Sequence, residues 1–152
     1  MTGRRRDWLE AAAMLAAIVL VALILNRFSG FPGQLQPNVD VSRAKQAALA
    51  LLVPAIAEEL VFRGPLLRPR LRSLPVAALL LATYLAWHPL AAWLFRPAMV
   101  PLFTDPAFLA LTATLGLSAT LSTWRSGTLL PAITLHWLTV AAWILGWGGP
   151  EG

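Results

Sequence analysis

Five long apolar runs fill most of this chain, at about 8–25, 44–62, 74–95, 107–124 and 128–147. A helix needs about 20 mostly apolar residues to cross a bilayer, so each run is long enough to span one. A closed β-barrel is the other way across, and it reads as alternating apolar and polar residues. Runs such as 16–25 and 76–82 do not alternate. The sequence therefore predicts an all-α, polytopic transmembrane helical bundle of about five spanning helices. Composition points the same way: 58% of residues are hydrophobic and 12% charged, where a soluble domain carries about 25% charged. A soluble globular domain and a disordered chain are both excluded. Within 152 residues there is room for one domain.

The net charge is +5, but only one lysine is present and the arginines sit in short clusters between apolar runs. That pattern fits anionic lipid headgroups rather than a nucleic acid backbone. The expected partner is the lipid bilayer, with no nucleic acid. Cysteine is absent, which removes disulfides, thiolate metal sites and cysteine nucleophiles.

Arginine placement orients the bundle. Arg4, Arg5 and Arg6 precede the first run, four arginines from Arg63 to Arg72 separate the second and third, and Arg125 separates the fourth and fifth. A cytoplasmic N-terminus puts all of them inside. Trp8, Trp93, Trp124 and Trp147 fall near run ends, as interfacial anchors do. The first run is followed by Asn26-Arg27-Phe28 rather than a small-residue cleavage site, so it reads as a retained anchor. The chain divides into an N-terminal anchor helix and loop (1–40), a core (41–147) and a short tail (148–152). Gly116, Ser118, Thr120 and Ser122 give the fourth run a small-residue surface suited to close packing.

Ionisable groups inside apolar runs are costly and are functional candidates by default. Here they are Glu58, Glu59, His88 and His136. Glu59 and Arg63 are four apart and can pair on one helix face. Glu58 is rotated by about 100° from Glu59 and has no cation one turn away, so it is free to face a cavity. A carboxylate withdrawn from water there suits a general base. Pro54 lies one turn before Glu58, and Pro89 follows His88. Both prolines are expected to break the helix and widen the bundle. Neither histidine has an acidic neighbour within one turn, so both should find partners on other helices.

Other readings of these residues stand beside that one. The Glu58, Glu59 and Arg63 cluster can be only a buried ion-pair network, and each histidine only a hydrogen bond between helices. One glutamate and two histidines also make a hydrolytic zinc set, with Glu58, His88 and His136 as ligands, although the His-Glu-x-x-His spacing is missing. No Gly-x-Ser-x-Gly occurs, and no acid flanks either histidine, so a nucleophilic triad has no support.

Taken together, the motifs resemble the CAAX-protease and bacteriocin-processing family, which includes type II CAAX prenyl endopeptidases. Glu58, Glu59 and Arg63 match its Glu-Glu-x-x-x-Arg motif. Tyr84 to His88 matches Phe-x-x-x-His, with tyrosine for phenylalanine. His136 matches the start of His-x-x-x-Asn/Asp, whose last position is Val140 here. The resemblance runs over about 41–147 and implies an intramembrane glutamate-type endopeptidase acting on membrane-associated or lipidated peptides. It implies Glu58, His88 and His136 as catalytic residues, with Glu59, Arg63, Tyr84 and Thr139 supporting. Glu58 would activate water, His88 would hold or polarise it, and His136 would stabilise the oxyanion. No cofactor is implied, and zinc remains the alternative. Val140 cannot donate a hydrogen bond. Either another group substitutes, Thr139 being the nearest hydroxyl, or this member is slow, inactive, or a membrane scaffold. The resemblance also implies a bacterial or similar cell membrane, and it leaves oligomeric state open.

Overall fold

The computed structural model describes residues 5–149; Arg4, Glu151 and the last three residues of the tail lie outside them. The described residues form an all-α bundle: α1 (Arg5–Ser29), α2 (Val41–Leu49), α3 (Ala57–Phe62), α4 (Leu74–Phe95), α5 (Val100–Phe103), α6 (Pro106–Ser126) and α7 (Leu130–Trp147). Four of these, α1, α4, α6 and α7, are long and apolar enough to cross a membrane.

The expected second span is the one that differs. Instead of one helix over 44–62, α2 ends at Leu49, a π-helical turn covers Leu51–Ile56, and α3 follows. Val53 has φ −135° and ψ 116°, outside the helical region. The cause is Pro54: its ring drives the preceding residue toward extended geometry and its nitrogen has no hydrogen to donate. The ladder resumes across the turn, with Ala55 N–H bonded to Ala50 O at 3.0 Å. Pro89 behaves differently. α4 runs unbroken from Leu74 to Phe95 with Pro89 inside it, so the widening expected at His88 does not occur.

α6 sits at the centre, packed against α1, α4 and α7. Its buried residues include the small and polar Thr112, Gly116, Thr120, Ser122 and Thr123 beside the apolar Phe108 and Leu115. Gly116 allows the closest approach. A Cβ there would lie 2.8 Å from Leu81 Cδ1 and 2.9 Å from the Tyr84 ring. Asp105 caps the start of α6 by accepting from Ala107 and Phe108 N–H, and Gly127, at φ 69°, ends it. Most threonine hydroxyls return to their own helix, as Thr114 does to Ala110 O at 2.9 Å.

The arginine-rich segments gather at one end of the bundle. Arg125 Nε lies 3.1 Å from Glu10 Oε2, which ties the end of α6 to the start of α1. Arg72 donates to Trp124 O and stacks over the Trp124 ring. At the opposite end, the segment after α1 is pinned to α7 by Gln36 N–H to Gly146 O at 2.7 Å and Asn38 N–H to Leu145 O at 3.0 Å.

Candidate active site

α3 is only six residues long, but its start is set by the Pro54 break, and this places Glu58 and Glu59 against different surroundings. Glu59 is fully buried. Its Oε1 accepts from Arg63 Nη1 at 3.1 Å and from His136 Nδ1 at 2.8 Å. Arg63 is buried too, and it spends its remaining donors on α6: Nη2 to Gly116 O at 3.0 Å and Nε to Thr120 Oγ1 at 3.4 Å. Its guanidinium stacks 4.1 Å from the centroid of the Tyr84 ring. A buried charge is tolerable only when paired and hydrogen-bonded; Arg63 meets both conditions, and Glu59 meets them through Oε1 while its Oε2 has no partner.

Glu58 faces the other way, into a cavity of about 690 Å³. His136 Nε2 lies 3.9 Å from Glu58 Oε2, and Trp87 is a hydrogen-bonding neighbour. Glu58 Oε2 is buried and has no hydrogen-bond partner. Tyr84, His88 and His136 line the same cavity. The Tyr84 ring meets the His88 ring edge-on at 4.8 Å and the His136 ring edge-on at 6.1 Å. The three expected catalytic side chains therefore do converge, with Tyr84 between the imidazoles. Beyond them the walls are apolar and come from α1, α2, α6 and α7, including Ile18, Leu49, Leu111 and Trp143.

The histidine partners differ from expectation in one case. His136 reaches across to α3, as expected. His88 does not leave its own helix: its Nδ1 lies 2.9 Å from Tyr84 O. A carbonyl only accepts, so Nδ1 carries the hydrogen, and in the neutral ring Nε2 keeps a lone pair. His136 is fixed likewise, because Glu59 accepts at its Nδ1 and leaves Nε2 toward Glu58.

Thr139 lines the cavity, but its hydroxyl donates to Leu135 O at 2.8 Å on its own helix. Val140 packs against the apolar cluster of Ala47, Ala50, Ala141 and Ile144. Among the described residues, no three His, Cys, Asp or Glu side chains are grouped so that they could hold a metal ion. Sequence reasoning missed Trp87, and it read Gly116 and Thr120 as packing alone, although both accept from Arg63. No sequence signal marks a main-chain carbonyl as the partner of a buried cation.

The family model for type II CAAX prenyl endopeptidase Rce1-like proteins matches residues 41–142. The chain belongs to that family. The Rce1-like match begins where α2 begins and takes in Glu58, His88 and His136, while α1 lies before it. No curated protein and no solved structure matches the chain.

Proposed function

We propose that this Rce1-like membrane protein is an intramembrane glutamic endopeptidase in which Glu58 activates water. The observation that carries the reading is the contrast between the two adjacent carboxylates. Glu59 is fully buried and engages Arg63 and His136 through Oε1, while Glu58 lines a cavity shared with both histidines. A general base has to stand within hydrogen-bond reach of its water, directly or through one more.

Glu58 takes a proton from water held between its carboxylate and His88 Nε2. The oxygen attacks the peptide carbonyl, and the carbonyl oxygen becomes the oxyanion. His136 Nε2 donates to that oxyanion when the ring carries its second proton, with Glu59 set against its other nitrogen. Collapse breaks the C–N bond, and the proton on Glu58 passes to the leaving amine. The substrate is a membrane-associated or lipidated peptide. Arg6, Arg72 and Arg125 stand at one end of the bundle, and this end faces the cytoplasm by the bias of basic residues. Residues 41–147 form the catalytic core, and residues 1–40 an accessory anchor.

The test is cleavage of a peptide library by the purified protein and by Glu58→Gln. A general base contributes roughly 10²–10⁴ in rate, so turnover should fall by that factor while the fold survives. Turnover equal to wild type would end the glutamate mechanism. One observation favours a second reading, a scaffold without catalysis: Val140 sits among apolar side chains and brings no donor to the site. Activity that appears only in Val140→Asn would favour it. Glu58, His88 and His136 are not grouped so that they could hold zinc, so turnover should persist in the presence of a chelator; loss of activity on chelation, with recovery on zinc addition, would mark the metal route instead.

A further inference from the structure

We infer that the Tyr84 hydroxyl is a catalytic hydrogen-bond donor to the oxyanion, the donor that residue 140 does not supply. The inference rests on the hydrolytic reading above and extends it to one atom. Tyr84 is the single tyrosine of the chain. It is fully buried, and its hydroxyl has no hydrogen-bond partner. Buried hydroxyls are nearly always paired, so an orphan one on a residue that lines a cavity points to a partner that arrives with a ligand. Its surroundings are those of the site: Tyr84 shares the cavity with Glu58, His88 and His136, and the Arg63 guanidinium lies 4.1 Å from its ring centroid.

The ring is also held more firmly than packing alone requires. Phe62 meets it edge-on at 5.3 Å, and both imidazoles meet it edge-on. Gly116 makes room for it where any Cβ would collide. A donor fixed before the reaction is what stabilises a developing charge. The alternatives on α7 are spent, since Thr139 bonds Leu135 O and Val140 is apolar. Among the site's groups Tyr84 alone carries a neutral O–H with no partner, in a place where phenylalanine would pack equally well.

Tyr84→Phe removes one oxygen and keeps the ring. The expected result is a fall in kcat of roughly 10²–10³, as for removal of an oxyanion donor, with KM and melting temperature close to wild type. Unchanged kcat, or a rise in KM alone, would overturn the inference. Because the chain has one tyrosine, growth on fluorotyrosines alters the acidity of position 84 only. The kcat of the intact protein should then follow phenol acidity across 2-fluoro-, 3-fluoro- and 3,5-difluorotyrosine, and a flat series would also overturn it. The series still reads out if the phenylalanine variant folds poorly. The two readings fail separately. Turnover insensitive to Glu58→Gln ends the glutamate mechanism and this inference with it, whereas turnover lost in Glu58→Gln and kept in Tyr84→Phe ends only the inference.

Discussion

On the α6 side of α3, Glu59 is enclosed by Arg63, His136 and the carbonyl-bearing face of a neighbouring helix. On the other side, one residue earlier, Glu58 borders an open chamber. The two carboxylates share a helix and a chemistry, and rotation of about 100° separates their fates. The enclosed side holds the fold together and orients His136. The open side borders the chamber, and it is the side that the proposed mechanism uses. A membrane site needs both, because an isolated charge in an apolar medium is stable only next to a partner.

The largest test of this contrast is in stability. Glu59→Gln strands the buried Arg63 guanidinium and should cost about 3–5 kcal/mol, read as a lower unfolding midpoint in detergent. Glu58→Gln should leave the midpoint near wild type; equal losses at both positions would erase the distinction. Next comes the seam behind the network. Gly116→Ala pushes a methyl to within 2.9 Å of the Tyr84 ring and should cost about 1–3 kcal/mol by overpacking. Activity should fall further than stability alone explains, since that ring lies between the imidazoles. A stability loss with unchanged turnover would show that the ring's exact seat does not matter. The smallest effect belongs to the exposed end. Arg125→Gln breaks the pair with Glu10, where the arginine side chain is 44% exposed. It should shift stability by less than about 1 kcal/mol, and a larger shift would give the arginine-rich end a share in holding α1 in place.

Much of this arrangement was legible in the chain. Spacing alone paired Glu59 with Arg63 and turned Glu58 away, because helical rotation is fixed. Residues 74–95 read as one span and are one helix. The small-residue face of α6 was visible as Gly116, Ser118, Thr120 and Ser122; Gly116, Thr120 and Ser122 are buried, while Ser118 is only partly so. The second span was misjudged because hydropathy does not register a change in backbone direction; Pro54 signalled a kink, but not a π-helical turn. Pro89 gave the same signal and was overruled, since one missing N–H within 22 helical residues is not enough to part α4. The partner of His88 was missed because a main-chain carbonyl has no letter in the sequence. Motif resemblance alone brought Glu58, His88 and His136 together, and neither it nor spacing placed Glu59 against His136 across 77 positions.

The first helix has a consequence for how this protein is handled. Leu15, Val19, Ala22 and Leu23 belong to α1 and form part of the chamber wall, yet they precede the residues that the Rce1-like match covers. A chain trimmed to residues 41–142 would keep every acid and imidazole of the site and lose a side of the room they open onto. Lipid tails would then compete directly with any peptide for the space beside Glu58.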